Sequence, residues 1–155
     1  MTLPVVMPGF AAAKHYVGTP LGVTDWLVID QERVDRFNRA SGEANWIHCD
    51  PERASRETPW KSAVVPGYLL LSLVPDLLPR LIVLLGWRTA INAGVDACEF
   101  ESPAPVGSRV RLRGSLARAR TFPGDGVRLS FAIQFEVEGE EQLACKARVH
   151  YAYFS

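Results

Sequence analysis

The sequence predicts an α+β fold in which a curved antiparallel sheet wraps around one apolar helix. Apolar residues recur with helical spacing in the first half of the chain and alternate strictly in the second half, and an almost wholly apolar segment, 64–74, lies between the halves. The length of 155 residues, with 48% hydrophobic and 22% charged residues, is typical of one globular core. We therefore expect a single domain over 1–155.

The first half begins with an apolar arm, 1–15, that we predict to be irregular. A short strand over 26–29 follows and ends before Asp30, a preferred helix N-cap residue. The helix after Asp30 carries apolar residues at a spacing of three and ends at Gly42, because glycine commonly terminates a helix. These apolar residues are Val34, Phe37 and Ala40, and the polar residues expected to face water are Gln31, Glu32, Asp35, Arg36 and Arg39. The segment 43–49 is then predicted to be a loop.

Two further helices are predicted in the first half. Asp50 and Pro51 mark the start of a short one, because aspartate caps a helix and proline fits its first position. The segment 64–74 is apolar on nearly every side, which is typical of a helix that other structure surrounds. Its helix-breaking residues, Pro66 and Gly67, lie near its N-terminal end. Such a start leaves backbone N–H groups unpaired, and glycine lets an oxygen atom come close to them.

The second half alternates between apolar and polar residues, most clearly over 127–138. Four long antiparallel strands are predicted over 94–101, 109–119, 127–138 and 142–153. Hairpin turns at 123–126 and 138–141 separate the last of them. The edge strand of such a sheet exposes unpaired backbone groups, so we expect a homodimer in which a second copy covers this edge.

Charge and cysteine content exclude several classes of function. Seventeen basic and seventeen acidic residues cancel without long blocks of one sign, so we expect neither nucleic acid nor a membrane as partner. The three cysteines stand far apart and outside any Cys-x-x-Cys pair, which favours a reduced, cytoplasmic setting and no metal site. The N-terminal arm lacks the basic flank and cleavage motif of a secretory signal.

The most informative string is FNRASGEANWIHCDPERA, residues 37–54, in which Glu43 and His48 lie five positions apart. Here the chain resembles the MaoC-like dehydratases, a hot dog fold family of fatty acid metabolism that includes the (R)-specific enoyl-CoA hydratases. It looks closest to the nodulation protein N-like branch. The resemblance covers most of the chain, from about Tyr16 to Tyr153. Its segments in the sheet half include residues 91–95 and 103–109.

The resemblance implies a single hot dog fold and a hydratase site. The family places its catalytic carboxylate, normally aspartate, at Glu43, its catalytic histidine at His48 and a glycine at Gly67. It implies that water adds to a trans-2-enoyl-CoA to give an (R)-3-hydroxyacyl-CoA, or leaves in the reverse reaction. No metal or cofactor is implied, since coenzyme A is part of the substrate. Two positions depart from the family: Glu43 replaces aspartate, and Pro66 replaces a common histidine.

Hydration of an enoyl thioester needs a base, an acid and donors for the enolate oxygen. We expect Glu43 and His48 to share the first two roles. The donor role falls to the Gly67 amide, because Pro66 has no N–H. The expected oxyanion and substrate-binding residues are Gly67, Tyr68, Asn45, Trp60 and Ser72.

Several of these residues also have a purely structural explanation. Asn45 either orients a ligand or closes its turn. Ser72 either faces the substrate or donates a hydrogen bond to a carbonyl of its own helix. Trp60 either forms a wall of the substrate pocket or packs against the core. A row of alternating arginines either meets coenzyme A phosphates or forms a solvated face. The row is Arg109, Arg111 and Arg113.

Two alternative functions remain beside the hydratase. A hot dog thioesterase would use a carboxylate and water to cleave the thioester instead of adding water to the double bond. An acyl-CoA binding protein with weakened catalysis would bind without turnover, and the two departures from the family pattern favour this reading. Product analysis separates all three.

Overall fold

The computed structural model describes residues 3–155 and confirms the α+β class. The strands of this part of the chain are β1 Val5–Met7, β2 Pro20–Val23, β3 Leu27–Val28, β4 Ile82–Leu84, β5 Thr89–Glu99, β6 Arg109–Phe122, β7 Gly126–Val137 and β8 Cys145–Phe154. Five of them form an antiparallel sheet in the order β2, β6, β7, β8, β5, and β3 also pairs with β6. The strands β1 and β4 form a separate parallel pair.

The helices lie mainly in the first half, as predicted. They are α1 Gln31–Ser41, α2 Trp46–Cys49, α3 Pro51–Glu57, α4 Gly67–Ser72 and α5 Val74–Leu77. With the 3₁₀ turn Leu78–Arg80, α4 and α5 form a central helical segment whose buried residues share one core cluster with the sheet. No helix within residues 3–155 is long and apolar enough to cross a membrane.

The predicted helix caps are confirmed. The Asp30 side chain accepts from the Arg33 N–H at 2.9 Å, and the Asp50 side chain accepts from the Arg53 N–H at 2.9 Å. Gly42 ends α1 in the left-handed conformation with φ of 75°. These caps satisfy backbone groups that a helix end leaves unpaired, and thereby fix where α1 and α3 begin and end.

The alternation of β7 places its apolar side chains on the inner face of the sheet. Phe131 and Phe135 are fully buried there, whereas Arg128 and Ala132 on the outer face are exposed. Ser130 is the exception, because it is buried on the outer face beneath His150, with its Oγ 2.8 Å from the ring Nδ1. The inner face therefore supplies the wall against which the central helical segment packs.

The central helical segment begins three residues later than the sequence predicts. Val64 forms an isolated bridge with Pro105, and the Val65 N–H donates to the Ala104 carbonyl at 2.8 Å. The residue before a proline is pushed out of the helical region, so Val65 stays extended and Pro66 becomes the cap. The helix consequently starts at Gly67.

The N-terminal arm was predicted to be irregular over 1–15, and this is wrong for the described residues. Val5–Met7 form β1, and a 3₁₀ helix spans Phe10–Tyr16. Met7 and Ala13 are fully buried. Their burial stabilises the ordered arm, because it removes apolar surface from water.

The outer-face arginine row is occupied by ion pairs. Arg111 Nε and Arg113 Nε lie 2.6 Å and 2.5 Å from the two oxygens of Glu136, on the neighbouring strand. Arg109 pairs with Glu138 at 2.9 Å. The row is therefore a paired, solvated face, which favours the structural explanation over contact with coenzyme A phosphates.

Replacing Glu136 by glutamine is expected to lower the free energy of unfolding by about 1 kcal/mol at neutral pH. Partial burial pushes the pKa of Glu136 upward, but the hydrogen bonds and charges of Arg113 and Arg111 outweigh this, so the pKa lies below its ordinary value of 4.5. A depressed pKa contributes stability above the unfolded value, and this contribution is lost as pH falls through the folded value. Urea unfolding at neutral and acidic pH measures the difference.

The matched control for this prediction is Glu140→Gln, which removes the same charge from an exposed side chain. It should leave stability nearly unchanged. A Glu136→Gln deficit of equal size at both pH values would show that the ionised carboxylate is not what stabilises the pair of strands.

One side of the central helical segment stays uncovered. Tyr68 is 71% exposed, and the neighbouring edge strand β5 and its end carry Ile91, Val95 and Phe100 with about half of each side chain exposed. We call these four residues the open apolar face. The sequence predicted a helix surrounded on nearly every side, and in the single chain this is wrong for the Tyr68 side.

Candidate active site

The turn that carries the imidazole is held by Asn45. Its Oδ1 accepts from the Ile47 N–H at 3.3 Å, and its carbonyl accepts from the His48 N–H at 3.0 Å. These bonds create α2 inside the segment 43–49, which was predicted to be entirely a loop. A single helical turn is too short to produce a periodic apolar pattern. The structure thus gives Asn45 a capping role.

The His48 imidazole is oriented by a backbone carbonyl. Its Nδ1 lies 2.6 Å from the Val64 oxygen. A carbonyl only accepts hydrogen bonds, so Nδ1 carries the proton and the Nε2 of the neutral ring keeps its lone pair. The Val64 N–H in turn donates to the Ile47 carbonyl at 3.0 Å, so both backbone groups of Val64 hold α2. The half-buried ring is therefore arranged to act as a base through Nε2.

The Glu43 carboxylate folds back over its own turn. One oxygen, Oε1, accepts from the Asn45 N–H at 2.8 Å. The other oxygen, Oε2, makes no hydrogen bond with any residue in the range 3–155. Because the side chain bends back toward the backbone of its own turn, the extra methylene of glutamate relative to aspartate does not have to move the carboxylate away from the turn. The half-buried Glu43 thus keeps one oxygen free for chemistry.

The backbone of Asn45 holds both Glu43 and His48, and no direct hydrogen bond joins these two residues within the described part of the chain. Both bind Asn45, Glu43 through the N–H and His48 through the carbonyl. No ion pair of 4.0 Å or less joins the two side chains within the described part of the chain. The uncommitted atoms of the site are therefore the Glu43 Oε2 and the His48 Nε2, and a proton shared between them has to pass through a third molecule.

Gly67 lies beneath an aromatic ring. A Cβ added at Gly67 would stand 2.5 Å from the Phe100 Cδ1, so the absent side chain makes room for this ring. Tyr68 completes the contact, because it meets Phe100 edge to face at a centroid distance of 5.6 Å. The sequence analysis explained Gly67 only by the close approach of a ligand oxygen. Packing of the Phe100 ring is a second reason why this position requires a glycine. Phe100 thereby lies next to the amide expected to act as donor.

Ser72 makes the predicted hydrogen bond back to its helix and also lines a cleft. Its Oγ donates to the Leu69 carbonyl at 2.7 Å, which is the bond back to the helix. The residue also lines a cleft of about 290 Å³ between the central helical segment and the strands β5 and β8, together with Val95 and Tyr151. The hydroxyl is therefore exposed at a cleft and is not a core group.

Trp60 lies in the turn between α3 and the central helical segment. The turn is fixed by the Thr58 Oγ1, which donates to the Ala54 carbonyl at 2.7 Å. Trp60 is 45% exposed, so it is not a core packing residue. Along the chain it stands four residues before Val64, the carbonyl partner of His48.

Sequence reasoning missed the residues on α1 that hold this segment. Gln31 was expected to face water, yet its Nε2 donates to the His48 carbonyl at 2.8 Å. Asn38 is buried and its Nδ2 donates to the Cys49 Sγ at 3.3 Å, whereas Ala40, expected on the buried face, is exposed. The available signal was the spacing of four between Val34 and Asn38, which places both on one helix face.

Comparisons with known proteins agree with the predicted family and fold. Residues 12–129, more than half of the chain, match the family described as MaoC like domain. The chain is 38% identical over 130 residues to 3-hydroxyacyl-thioester dehydratase Z of Mycobacterium tuberculosis, covering 84% of this chain and 85% of that protein. It is 31% identical over 135 residues to nodulation protein N of Rhizobium leguminosarum bv. viciae, covering 84% and 82%.

Among solved structures, the (R)-hydratase from A. caviae matches with a TM-score of 0.69 at 22% identity, covering 86% of this chain and 96% of that one. A likeness at this identity shows the fold alone. The predicted hot dog fold is confirmed.

Proposed function

The chain belongs to the MaoC-like domain family, and on this premise we propose that it is a hydro-lyase acting on acyl-CoA thioesters. It adds water to a trans-2-enoyl-CoA to give an (R)-3-hydroxyacyl-CoA, or removes water in reverse. The observation that carries the proposal is an oriented His48 beside a Glu43 with one uncommitted oxygen, both fixed on the same turn. The relative in Mycobacterium tuberculosis is named a 3-hydroxyacyl-thioester dehydratase, which supports the same reaction class.

The catalytic step uses the two uncommitted atoms of the site. A water molecule held between Glu43 Oε2 and His48 Nε2 loses one proton to the pair as its oxygen bonds to C3 of the enoyl group. The pair delivers one proton to C2, so that the side chains return to their starting charge. The reaction is redox-neutral, and the proposal includes no cofactor beyond the coenzyme A of the substrate.

The negative charge that develops on the thioester oxygen needs donors. We assign this role to the Gly67 N–H, which makes no backbone hydrogen bond with residues 3–155. The Phe100 ring next to Gly67 then covers one side of the thioester. Trp60 is assigned to the entrance, because its exposed ring lies on the segment that leads to Val64, and Tyr68 is assigned to the wall beside Phe100.

The acyl chain is assigned to the cleft beside Ser72. An adjoining apolar cleft of about 180 Å³ continues from it along Pro75, Trp87 and Tyr153. Burial raises the pKa of Tyr153 to about 12, with a further contribution from Tyr151, so the wall of this cleft stays uncharged. A neutral, apolar lining suits a hydrocarbon chain.

A homodimer is proposed to cover the open apolar face. The edge strand β5 pairs only with β8 in the described chain and has one free edge. An exposed strand edge next to apolar side chains is a template for association, and two-fold symmetric pairing closes it. The proposed dimer buries Tyr68, Ile91, Val95 and Phe100. Sedimentation of the purified protein tests it.

Hydration of crotonyl-CoA and of longer trans-2-enoyl-CoAs tests the proposed function. Addition of water is expected to remove the absorbance of the conjugated thioester without releasing a free thiol, and chiral analysis should identify the (R)-alcohol. Release of free coenzyme A would instead identify a thioesterase. Saturable binding with no change in either signal, unimproved by Glu43→Asp, would identify a binding protein.

A further inference from the structure

The buried side of α1 carries two amide side chains that reach the catalytic turn. Gln31 Nε2 donates to the His48 carbonyl at 2.8 Å and to Asp35 Oδ1 at 2.8 Å. Asn38, which is 5% exposed, donates from Nδ2 to the Cys49 Sγ at 3.3 Å. Residues seven apart lie on the same helix face, about 10.5 Å apart along the axis. Helix α1 therefore contacts the turn at two separate points.

Cys49 connects the second contact to Glu43. Its Sγ lies 4.0 Å from the Glu43 carbonyl oxygen and can donate to it while accepting from Asn38, because a thiol is both a weak donor and a weak acceptor. One anchor thus fixes the backbone of His48, and the other reaches the backbone of Glu43 through Cys49. The two anchors together contact the backbone of both proposed catalytic residues.

The two amide side chains lower the stability of the fold. Gln31 Oε1 and Asn38 Oδ1 are buried and have no hydrogen-bond partner among residues 3–155. A buried acceptor without a partner lowers the free energy of unfolding, because it loses its hydrogen bonds to water and gains none in the protein, whereas an apolar side chain of the same size has no such penalty. A polar residue that lowers stability and contacts a functional segment is typical of a functional constraint.

We propose that Gln31 and Asn38 are positioning residues, which hold Glu43 and His48 at the separation needed to grip one water molecule. The inference rests on the proposed hydratase function. Helix α1 is suited to this role because caps at Asp30 and Gly42 fix its ends. The two amides take no part in the proton transfer, and they act only through the backbone carbonyl of His48 and the thiol of Cys49.

Two variants that remove the hydrogen bonds at nearly constant side-chain size test the proposal: Gln31→Met and Asn38→Leu. Each is expected to lower kcat for enoyl-CoA hydration by about ten- to a hundredfold, because a displacement of about an ångström has this effect. KM should change little, since neither amide touches the substrate. Thermal stability should stay the same or rise, because each variant removes an unpaired buried acceptor.

Cys49 supplies the rescue experiment. Cys49→Ala removes the link to Glu43 and should lower kcat like Asn38→Leu, whereas Cys49→Ser keeps a donor and acceptor and should retain most of the wild-type rate. The matched control is Gln142→Met, the same substitution at an exposed residue of the turn before β8. Wild-type kcat in both α1 variants, or a loss no larger than in Gln142→Met, would overturn the proposal.

Hydrogen exchange without substrate separates this inference from the proposed function. The amides of His48 and Asp50, which bond to Asn45 and Trp46, should exchange faster in Gln31→Met and Asn38→Leu than in wild type. If the wild-type protein shows no hydration, the proposed function fails, and the exchange rates still decide whether α1 holds the turn. Unchanged exchange in both variants would show that it does not.

Discussion

Replacing His48 by alanine is expected to lower the rate of enoyl-CoA hydration by about a hundredfold to ten-thousandfold, the range typical of a general acid–base group. The ring combines a fixed orientation with a free basic nitrogen, because the Val64 carbonyl binds Nδ1 and leaves Nε2 without a partner among residues 3–155. The loss should appear in kcat. Initial rates at saturating crotonyl-CoA measure it.

His48→Asn separates the chemistry from the packing. The asparagine side chain can still donate an N–H toward the Val64 carbonyl, and so it preserves the contact that holds α2, but it has no basic nitrogen. It should be as inactive as His48→Ala while unfolding at a temperature close to that of the wild type. The matched control is His15→Ala, at an exposed residue of the N-terminal 3₁₀ helix. A rate near that of the wild type in His48→Asn would remove the imidazole from the mechanism.

The strands were predictable where one face is buried. Predicted and observed limits of β7 agree within one residue at each end, because its apolar residues alternate against a continuous core. The edge strand β5 starts at Thr89 and not at residue 94 as predicted. Most of its residues are exposed on both faces, so the burial pattern that normally imposes alternation is absent. The three-residue strands β1 and β4 are too short to carry a pattern.

The contacts of the candidate site can be sorted in the same way. Glu43 and His48 are still proposals that rest on a motif with a fixed spacing, whereas the turn-closing role of Asn45 could be predicted because its side chain acts on its own turn. The contact of Val64 with His48 could not be predicted, since it joins residues 16 apart that only the folded chain brings together. Gln31 was expected to face water because helical periodicity identifies the buried face of a helix by its apolar residues. This rule fails where a polar side chain packs against a neighbouring segment and donates to its backbone carbonyl, as Gln31 does to His48.

Replacing Glu43 by glutamine is expected to reduce hydration by about a hundredfold or more, because the amide cannot exchange a proton with the bound water. Glutamine has the same length, and its amide oxygen can still accept from the Asn45 N–H, as Glu43 Oε1 does at 2.8 Å, so the turn should keep its shape. The matched control is Glu52→Gln, at an exposed position in the first turn of α3. Equal rates for Glu43→Gln and Glu52→Gln would exclude the carboxylate from proton transfer.

Glu43→Asp tests why this chain uses the longer acid. In the wild type the side chain binds the Asn45 N–H and still leaves one oxygen free. The shorter aspartate has to give up either this bond or its reach toward the water, because it moves the carboxylate by about an ångström, and a loss of up to about a hundredfold in kcat is expected. The loss should be smaller than in Glu43→Gln, since aspartate still exchanges protons. A gain in rate would instead show that the turn is built for the shorter side chain, and that glutamate weakens catalysis here.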